Sequence, residues 1–79
     1  MATKRAKALG ERMRRERRMR DKTLEQVAEY MGLGNTTISA YEKGKINITV
    51  ENLAKYCEFL GVDYIELLHA VQEDLDKFS

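Results

Sequence analysis

The chain has 79 residues, of which 43% are hydrophobic and 34% charged; this is the composition of a single folded domain and excludes a disordered chain. A domain of this size buries too little surface to build a deep catalytic cleft. The net charge of +1 conceals an uneven distribution: residues 1–22 form a basic head with ten Lys/Arg and three Asp/Glu, and residues 50–79 form an acidic tail with two Lys/Arg and seven Asp/Glu. The head is therefore suited to bind a polyanion, and the tail is not.

The first two helices are predicted from apolar spacing and capping signals. Residues 1–5 form a basic N-terminal arm, and a first helix runs from residue 3 or 4 to residue 20, with a thin apolar face around Leu9 and Met13. A second helix begins at Thr23, where Gln26 three residues on indicates a capping box. It ends at Gly32, a residue type that favours the left-handed conformation after a helix.

The third and fourth helices are also bounded by glycines and caps. A short helix runs from residue 35 to about residue 43, with Gly34 at its N-cap and with Ile38 and Tyr41 facing inward. The fourth helix runs from Thr49 as N-cap to Gly61. Its predicted apolar face consists of Val50, Leu53, Ala54, Cys57 and Leu60.

The fifth helix begins after Asp63, with Glu66 as the partner in a second predicted capping box. Apolar residues recur at positions 64, 68, 71, 75 and 78, which is a short heptad seam. The first two complete the core and the later ones extend past it, so this C-terminal helix (residues 63–79) is predicted to form a homodimer through Leu68, Val71, Leu75 and Phe78. The chain is therefore predicted to be one all-α domain, residues 1–79, of five helices.

A known family becomes visible in the second and third helices. Residues 23–44 read TLEQVAEYMGLGNTTISAYEKG, and they resemble the helix-turn-helix family of phage repressors and Cro proteins. The resemblance continues through Leu53, Leu60-Gly61 and Leu67-Leu68, and covers about residues 9–68. Within that family, the total length and the stretch before the fourth helix also resemble the controller proteins of restriction–modification systems.

The resemblance implies a lambda-repressor-like bundle whose helix-turn-helix (residues 23–43) binds double-stranded DNA, with the third helix in the major groove. The implied base-reading residues lie on the third helix: Asn35, Thr36, Thr37, Ser39 and Ala40. The candidates for phosphate contact are polar or basic: Thr23, Lys43, Lys45, Asn47, Arg14 and Arg18. The resemblance also implies a structural ion pair between Arg17 and Glu42.

Three residues depart from the family pattern. Leu24 stands where the family often has a glutamine that contacts DNA, so that contact is absent from the prediction. Glu16 and Lys22 stand where apolar residues are usual. The first helix therefore either packs less tightly than is typical or rotates to use Met19.

Other function classes have little support in the sequence. His69 is the only histidine and Cys57 the only cysteine, so we predict no metal site, no cofactor and no enzyme activity. No membrane span, secretory signal or small-molecule site is evident, and we expect a cytoplasmic, nucleoid-associated transcriptional regulator. The alternative is a protein-interaction module, such as an antitoxin or adaptor, that acts through the C-terminal helix and does not shift DNA.

Overall fold

A computed structural model describes residues 3–77, and Thr3 immediately precedes the first helix. The described part contains five helices and no strand: α1 (Lys4–Met19), α2 (Leu24–Met31), α3 (Asn35–Glu42), α4 (Val50–Leu60) and α5 (Tyr64–Lys77). The predicted all-α, five-helix architecture is confirmed. The predicted basic arm is wrong for residues 4 and 5, because the Thr3 hydroxyl accepts from Ala6 N at 3.0 Å and starts α1 there; residues 1 and 2 lie outside the described part.

The helix ends follow the local signals of the sequence. At α2 the Thr23 hydroxyl accepts from Gln26 N at 3.1 Å, and Gln26 Oε1 accepts from Thr23 N at 2.8 Å, which completes the capping box. Thr49 caps α4 in the same way as Thr3 caps α1. At the start of α5, Asp63 Oδ1 accepts from Glu66 N at 3.0 Å, so only that half of the second predicted box forms.

The core lies where α2, α3 and α4 meet the middle of α1 and one face of α5. Among the described residues it consists of Met13, Val27, Ala28, Met31, Ile38, Tyr41, Leu53, Tyr56, Cys57, Leu60, Leu67 and Val71. The predicted α4 face is corrected at two positions: Val50 is 70% exposed and Ala54 is exposed, whereas Tyr56 is buried. The α4 stripe is centred on Leu53, Tyr56 and Leu60, and Val50 lies at the edge of its first turn.

The α5 face is also corrected. Leu67 and Val71 are 3% and 2% exposed within one chain, so the prediction that Val71 extends past the core is wrong, and Leu68 is 37% exposed rather than part of the core. The reason is that α5 packs mainly against α1, and this contact selects the stripe through Leu67 and Val71. Leu75 is half-buried, and Phe78 lies outside the described residues.

Candidate nucleic-acid interface

The turn between α2 and α3 presents the first turn of α3 without a side-chain cap. Gly32 adopts φ 68°, and Leu33 N donates to Ala28 O at 3.0 Å, which closes α2. The N-cap of α3 is Gly34, which has no side chain that could form a capping hydrogen bond. Its carbonyl oxygen accepts from Thr37 N and Ile38 N. The amides of Asn35 and Thr36 therefore point outward, as the first amides of a helix do, and are free to bind an anion or a base.

The predicted base-reading residues are on one short helix but differ in exposure. Asn35 and Thr36 are exposed, and Thr37, Ser39 and Ala40 are half-buried. Ile38 and Tyr41, on the other side of α3, are in the core. The first turn thus offers an amide and a hydroxyl to solvent, and its opposite face fixes the helix on the domain.

The predicted phosphate-contact residues lie at the ends of elements. Lys43, Lys45 and Asn47 follow α3 directly and are exposed. Thr23 is exposed at the start of α2, where its oxygen accepts from Gln26 N and its hydroxyl proton remains available to donate. Donors of this kind are suited to contact the phosphates of a nucleic-acid backbone.

A buried ion pair fastens the far end of α3. Arg17 donates from Nε to Glu42 Oε2 at 2.8 Å and from Nη2 to Glu42 Oε1 at 3.0 Å, and the two residues are 8% and 4% exposed. Arg17 Nη1 also donates to Lys22 O at 2.7 Å, just before Thr23. The hydrogen bond to Glu42 raises the pKa of Arg17 above its ordinary value, so the side chain stays charged and connects α1, the end of α3 and the start of α2.

Tyr56 completes this pair and was missed in the sequence. Its hydroxyl lies 2.6 Å from Glu42 Oε2 and 2.9 Å from Met13 O, and the residue is 1% exposed. Burial, with the hydrogen bond to Glu42, raises the pKa of Tyr56. A signal was available: Tyr56 is three residues after Leu53 and four before Leu60, and a buried tyrosine hydroxyl needs a partner.

The arginines of α1 divide into paired and unpaired groups. Glu16 Oε2 forms an ion pair with Arg12, 3.1 Å from its Nε, and Glu16 Oε1 accepts a hydrogen bond from Arg20 Nη1 at 2.7 Å. These two contacts explain how a carboxylate occupies a position that is usually apolar. Within residues 3–77, the exposed Arg14 and Arg18 have no ion-pair partner. Met19 is 65% exposed, so α1 does not rotate to use it.

Lys22, the other polar departure from the family pattern, covers an aromatic ring. Its Nζ lies 5.7 Å from the centroid of the Phe59 ring, and the Phe59 and Tyr30 ring centroids are 5.0 Å apart with the rings tilted by 40°. The cation and its aliphatic stem therefore take the place of an apolar side chain.

The N-terminal half of α1 adds a basic residue that the sequence did not single out. Gly44 has φ 70°, and a Cβ at this position would lie 2.6 Å from Lys7 Cα. The exposed Lys7 is thus adjacent to the turn that carries Lys43 and Lys45. Nothing in the spacing of Lys7 indicates this, because the approach depends on how α1 crosses α3.

Residues 3–77 provide neither a metal-binding cluster nor a membrane-spanning helix. No group of three or more His, Cys, Asp or Glu side chains there could hold a metal ion, and none of the described helices combines the length and apolarity that crossing a bilayer requires. Cys57 is 3% exposed, and burial raises the pKa of its thiol to about 11, which is the environment of an inert core cysteine.

Comparison with known proteins gives one family and several relatives. A family model described as helix-turn-helix matches residues 13–67. The transcriptional repressor RstR of cryptic phage CTXphi in Vibrio cholerae is 36% identical over 58 residues, which are 73% of this chain and 52% of RstR. The chain therefore spans about half the length of this curated relative.

Two solved structures are similar over most of both chains. The clp gene regulator ClgR from C. glutamicum has a TM-score of 0.85 at 26% identity, covering 91% of this chain and 94% of ClgR. The restriction–modification controller protein C.AhdI from Aeromonas hydrophila has a TM-score of 0.74 at 26% identity, covering 78% of this chain and 94% of C.AhdI.

Proposed function

The chain belongs to the helix-turn-helix family of Cro/C1 type, and from this premise we propose that it is a transcriptional regulator that binds a near-palindromic operator in double-stranded DNA as a homodimer. The observation that carries the proposal is the first turn of α3. Asn35 and Thr36 are exposed there, on a helix whose other end is fixed by the buried Arg17–Glu42 pair.

The chemistry of α3 suits the major groove. An asparagine amide pairs bidentately with adenine, and a threonine donates to a base edge or packs on a thymine methyl. We assign base reading to Asn35, Thr36, Thr37, Ser39 and Ala40, with the first two dominant because they are the most exposed. We assign phosphate contact to Thr23, Lys43, Lys45, Asn47, Arg14 and Arg18, which position the domain without reading sequence.

The experiment that tests DNA recognition is selection of bound sequences from random duplexes, followed by titration on the selected operator. Enrichment of a near-palindrome whose half-sites are about one helical turn apart supports the proposal. No enrichment, together with no retardation of any duplex, contradicts it and favours the protein-interaction alternative.

Asn35→Ala and Thr36→Ala are each expected to weaken operator binding by about 1–3 kcal/mol, and to leave binding to random DNA nearly unchanged, because they remove base contacts. The matched control is Lys43→Ala on the turn after α3. It should weaken both kinds of binding equally and lower the salt slope of log K by about 1. Fluorescence anisotropy at several salt concentrations measures both, and equal losses on both DNAs for Asn35→Ala would show that Asn35 only positions the backbone.

The proposed dimer surface is revised by the burial of Val71. Ile65 is 56% and Leu68 37% exposed, and they line one hollow with Arg5 and Leu9. Arg5 and Leu9 also line the adjacent hollow that contains Ile46, which is 45% exposed. We call this apolar area the Ile65 face and propose it as the contact with a second copy, because exposed apolar side chains of this size favour association.

Leu68→Glu is expected to give a folded monomer that binds the operator weakly and without cooperativity, because it places a charge in the Ile65 face. The matched control is Leu75→Glu, seven residues further along α5. Leu75 is half-buried and lines a different hollow, with Ala8 and Arg12 of α1, so this change should leave the dimer intact. Sedimentation at micromolar to high-micromolar concentration measures both. A dimer that survives Leu68→Glu and dissociates with Leu75→Glu would move the interface to the end of α5.

A further inference from the structure

We propose that Tyr56 is a positioning residue for the recognition helix: its hydroxyl holds Glu42, and through Glu42 it sets where α3 lies relative to the start of α2. The three side chains that carry this arrangement are buried, with Tyr56 1%, Glu42 4% and Arg17 8% exposed. The consequence for DNA rests on the proposed function, whereas the positioning itself does not.

The single phenolic proton has two acceptors within reach. Glu42 Oε2 lies 2.6 Å from the hydroxyl oxygen and Met13 O lies 2.9 Å from it. The carboxylate is both the nearer and the charged acceptor, and hydrogen bonds to ionised groups are the shorter and stronger kind. The proton is therefore assigned mainly to Glu42, whose carboxylate then accepts three hydrogen bonds, two from Arg17 and one from Tyr56.

This carboxylate joins four segments of the chain. Glu42 is the last residue of α3, Tyr56 lies in the middle of α4, and Arg17 belongs to α1. Arg17 also donates to Lys22 O, one residue before the cap of α2. The other hydrogen bond from α4 to α3, Asn52 Nδ2 to Tyr41 OH, is longer at 3.2 Å and only part-buried. The hydroxyl of Tyr56 is thus the buried α4 group that restrains the end of α3.

Positioning of this kind matters for reading bases. Asn35 lies seven residues from Glu42 on the same helix, so a small rotation about the fastened end moves the first turn across the groove. Phosphate contacts on the flexible side chains of Lys43 and Lys45 tolerate such a shift better than bidentate base contacts do. Loss of the hydroxyl is therefore expected to lower specific binding more than binding to random DNA.

Tyr56→Phe tests the positioning without DNA. Amide hydrogen exchange is expected to speed up by about three- to tenfold at the last turn of α3, where the amides of Lys43, Gly44 and Lys45 donate to carbonyls of Ser39, Tyr41 and Ala40. The exchange rates of the Gly61 and Val62 amides, at the end of α4, should increase less than those at the end of α3. The matched control is Cys57→Ala, at the next residue of α4. Cys57 is buried and its side chain makes no hydrogen bond to the described residues, so this variant should raise exchange evenly.

The second part of the experiment uses DNA. Tyr56→Phe should lower the ratio of operator affinity to random-DNA affinity by about three- to tenfold, measured well below the melting temperature, whereas Cys57→Ala leaves this ratio unchanged. If the unsubstituted chain binds no operator, the proposed function is contradicted, but the hydrogen-exchange result still tests the positioning role of Tyr56. If Tyr56→Phe raises the exchange rate evenly over the domain, as Cys57→Ala does, the positioning role is overturned.

If Tyr56→Phe does not fold, the unsubstituted chain provides the measurement. A Tyr56 hydroxyl proton that is protected from exchange and shows a nuclear Overhauser effect to the Glu42 side chain supports the proposal. An unprotected hydroxyl proton overturns it.

Discussion

Glu42→Ala is expected to lower the free energy of unfolding by about 3–5 kcal/mol, the range for breaking one side of a buried ion pair. The change leaves the Arg17 guanidinium, 8% exposed, without its carboxylate, and removes the nearer acceptor of the Tyr56 hydroxyl. A domain of this length has a total stability of about 4–12 kcal/mol. The loss therefore takes a large part of it, and urea unfolding followed by circular dichroism measures it directly.

Two further variants separate the pair from its surroundings. Arg17→Met combined with Glu42→Leu should recover part of the loss, because no charge is then left buried. Glu51→Ala removes the exposed pair with Lys55, whose atoms are 3.7 Å apart, and should change stability by no more than about 1 kcal/mol. An unchanged melting temperature in Glu42→Ala would show that the buried pair does not form in solution.

The parts of the fold that the sequence predicts well depend on short-range signals. The capping box of Thr23 and Gln26 and the left-handed Gly32 involve neighbours within four residues, and the structure contains both. The inward positions of Ile38 and Tyr41 follow from the three-residue spacing on a short helix. These local features together locate the turn that presents Asn35, so the candidate interface was accessible from the sequence.

The buried face of α5 could not be predicted from the sequence in the same way. Leu68 and Leu67 both belong to apolar stripes with helical spacing, and local sequence does not choose between them. The choice is made by α1, which packs on Leu67 and Val71 and leaves Leu68 37% exposed. Glu16 is a different case, because Arg12 and Arg20 each lie four residues from it and their spacing is visible in the local sequence.

Tyr56 illustrates the limit more sharply. Its register in α4 is sufficient to expect burial, but its partners are 14 and 43 residues away, in Glu42 and Met13. The sequence pattern indicates that a buried hydroxyl needs an acceptor, but it does not indicate which residue supplies that acceptor. The partner is set by the crossing of α1, α3 and α4, which only the assembled fold contains.

Gly10→Ala is expected to destabilise the domain by about 3 kcal/mol, the upper end of the cost of overpacking, although local rules predict the opposite. Alanine is favoured over glycine inside a helix by about 1 kcal/mol, and Gly10 lies in the middle of α1. A Cβ at this position would overlap the carbonyl oxygens of Tyr41 and Glu42, the second at 2.5 Å. Both are backbone atoms at the end of α3, so no side-chain rotation relieves the contact and α1 must move away from α3.

The matched control is Gly34→Ala, at the N-cap of α3, where a Cβ meets no atom within 4 Å and φ is −79°. It should cost no more than about 1 kcal/mol, because glycine is a better N-cap residue than alanine. Thermal unfolding of the two variants separates the effects, since each kcal/mol shifts the melting temperature of a domain this size by about 4–8 °C. Because moving α1 also strains the Arg17–Glu42 pair, Gly10→Ala should weaken operator binding as well. A higher melting temperature in Gly10→Ala would contradict the close approach of α1 and α3, and with it the fastening of α3.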